Sequence, residues 1–432
     1  MRIAVIGTGY VGLVSGACLA ELGHDVICVD VHAHKIALLR AGVIPIYEQG
    51  LEDIVKKNVS HGRLRFTTSY HEAIPRCDIA MIAVGTPSAA DGSVDMQYVE
   101  SAARMIGEHL TGYAVILNKS TVPVGTSERV TSIILNITSQ PFDVVSVPEF
   151  LREGQAVKDF LHEPSRIVIG SSSERATQII LRLFAPLECP KVVMDPKSAE
   201  LTKYAANAFL ATKIGFINEI AHLCEEVGAE VDSIALGIGL DPRIGKDFLR
   251  AGLGWGGSCF PKDVKALHQL GQSLNQDMPI VSASLEMNRR ARSRIVDRLV
   301  SELGDFAGKR IAVLGIAFKS HTDDTRESAA IEIMRILRDQ GAELSAYDPI
   351  ARMDAAQHGF EAPHAESPYA AAEGAEALVI ATEWPEFRDL DLARLKSLMK
   401  NPLIVDARNM LDPDRVKEHG FRYLRVGRKM EN

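Results

Sequence analysis

The chain has 432 residues, 46% hydrophobic and 24% charged, the make-up of an ordinary soluble globular protein of about three domains, or of two large ones with a substantial connector. Lys and Arg total 48 against 56 Asp and Glu, a net charge of −8; this excludes a bulk basic footprint for nucleic acid or acidic lipid but not a local phosphate pocket. No run reaches the ~20 consecutive apolar residues of a membrane-spanning helix, and six scattered Cys with no CxxC pair exclude a disulfide scaffold and a structural zinc, placing the chain in a reducing cytoplasm.

Residues 2–7 read as a short β-branched strand that ends in Gly7-Thr8-Gly9-Tyr10-Val11-Gly12. A helical pattern runs on to Gly23, and a second strand at 26–29 ends at Asp30, 18 residues past Gly12. Strand, Gly-rich turn, helix, strand and acidic residue form the full dinucleotide-binding context. Asp30 is expected to take the ribose hydroxyls and to repel a 2′-phosphate, favouring NAD over NADP. The regular Gly spacing, with Glu21 following, argues against reading this apolar start as a signal peptide.

Further runs at 78–84, 113–117 and 142–147 predict later strands of the same sheet. They end at Gly85-Thr86-Pro87, Lys119-Ser120-Thr121 and Pro148-Glu149, so polar residues gather beyond the carboxyl ends of the strands, where open α/β sheets bind ligands. The pattern repeats at 309–315, 344–348, 377–382 and 403–408. The expected fold is therefore α/β, with two Rossmann-like doubly wound domains, 1–198 and 304–432, joined by a helical middle segment, 199–303. The second repeat lacks the full fingerprint, because Gly315 is followed by Ile316-Ala317-Phe318; it suits the mononucleotide part of a substrate better than a second dinucleotide.

From 199 to 227 there is no Pro and one Gly, and apolar residues recur at helical spacing. This predicts a long spine helix that doubles as a dimer surface, an ordinary core helix being the alternative. Lys203 and Asn207, spaced i,i+4, share one face of it. The densest unusual stretch is Gly252-Leu253-Gly254-Trp255-Gly256-Gly257-Ser258-Cys259-Phe260-Pro261-Lys262-Asp263. Its glycines let backbone approach a ligand. Pro261 starts a helix well and sets Cys259 at the N-terminal edge, where thiolate, the nucleophilic form, is stabilised. Cys18, Cys28, Cys77, Cys189 and Cys224 read as small buried hydrophobes. His32 and His34 read as exposed, with no metal site.

These motifs together resemble the UDP-glucose/GDP-mannose dehydrogenase family. The likeness runs from GTGYVG at 7–12 through VGTP (84–87), KSTVPVGT (119–126), PEFLREG (148–154), LTKYAANAFLATKIGFINE (201–219) and GGSCFPKD (256–263) to AFKSHTDDTRES (317–328). The resemblance implies an NAD-dependent, two-step, four-electron oxidation of UDP-glucose to UDP-glucuronate. Cys259 holds first a thiohemiacetal and then a thioester, Lys203 and Asn207 stabilise oxyanion, and Asp263, with Glu149 and Thr121, moves protons. It also implies cofactor contacts from Lys35, Thr86, Thr121, Glu153, Lys262 and Arg326, beside the fingerprint and Asp30. Around the nucleotide sugar it implies Glu149, Phe150, Leu151, Arg152, Glu153, Lys203, Asn207, Arg243, Phe248, Leu249, Arg250, Ala251, Gly252, Gly256, Lys319 and Arg408. A homodimer follows by the same analogy, with Arg243 reaching the partner's site. GDP-mannose or another nucleotide sugar is the alternative substrate, and a non-catalytic NAD-binding regulator the distant one.

Overall fold

The computed structural model describes residues 1–89 and 91–429. They fall into two compact units that divide between Ala206 and Asn207, inside the long helix Pro196–Val227.

The first unit is an eight-stranded sheet with helices on its faces. Its strands are β1 (Arg2–Ile6), β2 (Asp25–Val29), β3 (Leu64–Thr67), β4 (Ile79–Ile82), β5 (Ala114–Asn118), β6 (Phe142–Ser146), β7 (Ile167–Gly170) and β8 (Lys191–Met194). Their order is β3-β2-β1-β4-β5-β6-β7-β8, and all neighbours are parallel except β6 and β7. Strands covered on both faces need near-continuous apolar runs; residues 79–82 of β4 and 114–118 of β5 are accordingly buried throughout. Chain order reverses between β1 and β4, which opens a crevice beyond their carboxyl ends. The first helix, Tyr10–Glu21, packs close to the sheet because Gly16 carries no side chain: a Cβ there would lie 2.6 Å from the Cys28 thiol.

The second unit holds a five-stranded, all-parallel sheet of β9 (Arg310–Leu314), β10 (Glu343–Tyr347), β11 (Ala377–Ile380), β12 (Leu403–Asp406) and β13 (Arg422–Arg425), ordered β10-β9-β11-β12-β13. Helices Val231–Gly239, Phe260–Ser273 and Pro279–Leu303 precede it. The helical middle is not a separate body from this sheet. Ile217, Ala221 and Cys224 of the long helix and Ile295, Val296 and Leu299 of Pro279–Leu303 share one core with Ile311 and Val313 of β9.

Candidate active site

The dinucleotide fingerprint is built as its chemistry requires. Gly7 has φ 101°, and a Cβ on it would lie 2.5 Å from the Ala83 carbonyl oxygen. A Cβ on Gly12 would lie 2.0 Å from the carbonyl oxygen of Gly7. Gly9 differs: a Cβ there would meet nothing within 4 Å. The first and third glycines thus allow close packing, and the second leaves an open approach over the start of helix Tyr10–Glu21. No side chain caps that helix, so its N-terminal dipole and first-turn amides suit a pyrophosphate.

Asp30 follows β2. Its Oδ2 accepts from the Thr8 amide (2.9 Å), the Thr8 hydroxyl (2.7 Å) and Lys35 Nζ (3.4 Å), and its Oδ1 from the His32 amide (3.0 Å). Burial would raise this carboxyl, but the bonds from Thr8 and His32 and the Lys35 charge outweigh it and hold it below its ordinary range. It is a carboxylate at the end of the second strand. His32 and His34 are exposed. Thr86 is buried, Thr121 half-buried, and the Ser120 hydroxyl donates to the Val84 carbonyl (2.8 Å), tying the loops after β4 and β5 together.

A charge cluster lies beyond β5 and β6. Lys203 Nζ donates to Glu149 Oε1 at 2.8 Å with both side chains buried, and the Leu151 amide donates to Glu149 Oε2 at 2.6 Å. Burial opposes ionisation of Glu149, yet the Lys203 ammonium, the Leu151 amide and Lys119 together hold its carboxyl below the usual range. Lys119 is buried too; burial pushes it down to about 8, against the pull of Glu149 and with the repulsion of Lys203. Two cations around one carboxylate make this a place that favours a further negative charge.

One turn before Lys203, the buried Glu200 accepts from the amides of Gly125 (2.7 Å) and Ser127 (2.9 Å) and from the hydroxyls of Ser127 (2.8 Å) and Ser146 (3.0 Å). It thereby caps helix Thr126–Leu135 and fixes the start of the long helix against the end of β6. The loop after β6 is also braced. Arg152 forms a two-pronged pair with Asp159 (2.9 and 2.6 Å), and the Gly154 and Ala156 amides donate to the buried Glu48 (2.7 and 2.8 Å). Phe150 has the Arg166 guanidinium over its ring at 3.7 Å.

In the second unit, Cys259 is half-buried at the N-cap of helix Phe260–Ser273, with Pro261 in the first turn, as the sequence suggests. Asp263, one turn on, is fully buried. Asn207 Nδ2 donates to its Oδ2 at 2.6 Å, and Lys262 pairs with its Oδ1. The glycines before Cys259 answer to close packing. A Cβ on Gly252 would lie 2.6 Å from the Ala407 carbonyl oxygen and one on Gly256 2.3 Å from that of Glu327; Gly257 has φ 83° and faces the Phe318 ring.

The remaining substrate candidates fall into groups. Leu249 and Ala251 are buried, Phe248 is half-buried with φ 64°, and Arg250 is exposed. Arg243 is exposed and paired with Asp241 (2.6 Å). Arg326 pairs with Asp324 (2.8 Å), Lys319 Nζ lies 5.5 Å from the Phe318 ring, and Arg408 Nε donates to the Ala381 carbonyl (2.8 Å). Of the other cysteines, Cys18, Cys28, Cys77 and Cys224 are buried as expected, but Cys189 is only half-buried, lying in the turn that leads into the edge strand β8. Sequence reading missed Lys119 as more than part of a motif, and missed Glu48 and Glu200. A charged residue directly after an apolar strand is the signal that marks Lys119; Glu48, in a loop, and Glu200, on a helix, carry none. Among the described residues, no three His, Cys, Asp or Glu gather as a metal would require.

A doubly wound sheet with this glycine cradle and ionised Asp30, and a thiol at a helix start, define an NAD-dependent dehydrogenase. More narrowly, the chain belongs to the UDP-glucose/GDP-mannose dehydrogenase family: its NAD binding domain matches residues 1–188, its central domain 197–290 and its UDP binding domain 312–413. The chain is 50% identical to the UDP-glucose 6-dehydrogenase TuaD of Bacillus subtilis, covering 99% of this chain and 93% of that protein. It is 50% identical to the UDP-glucose 6-dehydrogenase of Rhizobium meliloti, covering 99% and 100%. The solved UDP-glucose dehydrogenase from Pyrobaculum islandicum superposes with a TM-score of 0.93 at 41% identity, covering 99% of this chain and 97% of that one.

Proposed function

We propose that this chain oxidises the C6 alcohol of UDP-glucose to the carboxylate of UDP-glucuronate with two NAD⁺ and one water. The observation that carries the reading is Cys259, held half-buried at a helix start one turn from a buried Asp263 that Asn207 and Lys262 fix in place. The Gly7-Gly9-Gly12 turn and Asp30 would hold NAD⁺, which would supply the hydride acceptor for each oxidation. Lys35, Thr86, Thr121, Glu153, Lys262 and Arg326 complete the proposed cofactor contacts.

The first oxidation leaves an aldehyde, which the Cys259 thiolate attacks to give a thiohemiacetal. Loss of the second hydride leaves a thioester, and water adds to it, expelling the thiolate and forming the acid. Lys203 and Asn207, one turn apart on the long helix, stabilise the oxyanion at each tetrahedral stage. Asp263 takes the proton of the attacking water, and Glu149, held ionised by Lys203, orients water with Thr121. The residues proposed to contact the nucleotide sugar are the loop 149–153, Arg243, residues 248–252, Gly256, Lys319 and Arg408. Arg suits pyrophosphate through its charge-assisted fork.

The 304–432 domain takes the UDP portion, 1–198 the cofactor, and 199–303 the dimer contact. The last assignment rests on the apolar stripe of Phe209, Phe216 and Leu223, which are 67%, 49% and 58% exposed at seven-residue spacing. A second copy of this chain covers it, with Arg243 serving the partner's site. The cytoplasm is the proposed location, since its thiol-reducing conditions keep Cys259 reactive. Among the described residues no helix is long and apolar enough to cross a membrane.

The test is NADH formation over a panel of UDP- and GDP-sugars, with the product identified by mass. UDP-glucose is expected to give two NADH and UDP-glucuronate. One NADH with free aldehyde, or preference for GDP-mannose, overturns the reading.

A further inference from the structure

The segment that carries Cys259 is irregular backbone, and such backbone must find partners for its N–H and C=O groups outside a ladder. At Trp255, four residues before the thiol, one side chain serves both. Asn288 Oδ1 accepts from the Trp255 amide at 2.7 Å, and Asn288 Nδ2 donates to the Trp255 carbonyl at 3.0 Å. One turn further along helix Pro279–Leu303, Arg292 Nη2 donates to the same carbonyl at 2.7 Å, while its Nη1 pairs with Glu332. Asn288, Arg292 and Trp255 are 6%, 7% and 5% exposed. Gly254 has φ 84°, and a Cβ on it would lie 2.1 Å from Asn288 Oδ1, so the loop and the amide are fitted to each other.

An amide and a guanidinium in an apolar helix face are dear in desolvation, and apolar residues would serve stability as well. What the pair adds is a fixed point. From Trp255 onward the chain has little slack, because Gly256 sits against the Glu327 carbonyl and Gly257 against the Phe318 ring. Glu332, the partner of Arg292, lies on helix Ala329–Asp339, which begins just after that contact. The position of Trp255 is therefore passed to the start of helix Phe260–Ser273 and its N-cap, Cys259.

We propose that Asn288 and Arg292 are positioning residues that hold the Trp255 backbone so that Cys259 stays at the reacting carbon. This rests on the reading of Cys259 as the nucleophile. The clamp needs a side chain with one donor and one acceptor, which a carboxylate lacks. In Asn288→Asp one oxygen still accepts from the Trp255 amide, but the other faces the Trp255 carbonyl, and the donor returns only when the acid is protonated.

The experiment uses the full chain and the variants Asn288→Asp, Asn288→Ala, Arg292→Ala and Arg292→Lys. It measures kcat and KM for UDP-glucose, melting temperature, and the rate of Cys259 carboxamidomethylation by iodoacetamide, read by peptide mapping. Misplacing a reacting group by about 1 Å costs about a hundred-fold. Asn288→Asp is thus expected to lose kcat on that order near pH 8 with KM nearly unchanged, and its deficit against the parent to shrink as pH falls. Arg292→Lys, which keeps a donor for the carbonyl, is expected to recover most of what Arg292→Ala loses. Parental kcat and labelling rates in both Asn288 variants overturn the clamp, as does a loss that follows melting temperature alone and is flat with pH. If the parent makes no NADH from UDP-glucose, the proposed reaction fails. The labelling rates then still decide the clamp, since alkylation needs no substrate.

Discussion

Replacing Lys119 with Met is expected to stabilise the protein at pH 7. The ammonium is fully enclosed, and burial pushes it to about 8 from an ordinary 10.5, Glu149 opposing and Lys203 reinforcing the shift. Below pH 8 the lysine is charged in both the folded and the unfolded chain, so the burial penalty is fully present. Between 8 and 10.5 only the unfolded chain keeps the proton, and stability rises with pH; above 10.5 the penalty is gone. The interval, 10.5 − 8 = 2.5 pH units, at ~1.36 kcal/mol each amounts to about 3 kcal/mol. Met keeps a flexible apolar stem, and the shift is already net of the attraction to Glu149, so with some loss to imperfect packing the expected net gain is about 1–3 kcal/mol. Guanidinium unfolding of both proteins at pH 7, 9 and 10 measures it. The parent is expected to gain on the variant as pH rises, with the two converging near pH 10, while turnover falls because one of two cations beside Glu149 is lost. A variant less stable than the parent at pH 7, with the same pH slope, refutes the reasoning: the ammonium is then a net anchor.

Asp30→Ala is expected to narrow the NAD/NADP ratio of kcat/KM, because it removes a ribose acceptor and a repulsive charge; an unchanged ratio means that Asp30 does not set cofactor choice. Glu200→Gln keeps one oxygen for Ser127 and Ser146 but turns an NH₂ toward the Gly125 amide, at an expected cost of about 1–3 kcal/mol in unfolding free energy. Phe209→Asp is expected to give a monomer by light scattering, and a dimer that persists at low concentration removes the exposed stripe from the interface. Cys259→Ala is expected to abolish UDP-glucuronate formation while retaining calorimetric NAD binding, whereas Cys28→Ala spares turnover and lowers the melting temperature as a small core truncation.

Much of this was legible because it is local. The fingerprint, Asp30 and the helix-start thiol each follow from adjacent residue types and a fixed spacing, and the strands buried on both faces show as apolar runs. The strands β3, β7, β8 and β13 went unread, β7 although its Ile167-Val168-Ile169 is an apolar run buried throughout. β3 is half polar, and β8 is an edge whose Val192 and Val193 are exposed. Side chains whose role depends on a distant partner were beyond reach. Glu200 is an ordinary helix residue until Gly125, Ser127 and Ser146 arrive, and Asn288 until Trp255 does. The converse holds for Arg408 and Arg326. Their charge is plain in the sequence, but not that Arg408 Nε also donates to the Ala381 carbonyl and that Arg326 pairs with Asp324.

Asp30 and Asp348 show how one topology yields two capacities. Each follows the second strand of its Rossmann-like sheet, beside the turn after the first. Asp348 is fully buried, and five donors converge on it: the amides of Ile316 (2.8 Å), Ala317 (3.0 Å), Ile350 (3.0 Å) and Ala351 (2.9 Å), and Trp384 Nε1 (3.1 Å). A carboxylate offers about four lone-pair sites, so nothing is left for a ribose. Asp30 Oδ2 is similarly spent on Thr8 and Lys35, but its Oδ1 holds the His32 amide alone and keeps a site for a hydroxyl. The turns differ in the same sense. Where Gly9 leaves open space, the second turn has Ala317, 1% exposed, with the Thr382 hydroxyl on its carbonyl at 2.7 Å. The strand order permits a dinucleotide at both sheets. The proposed assignment of the cofactor to the first sheet rests on the hydrogen-bond capacity left unspent at Asp30 and on the side chain left out at Gly9.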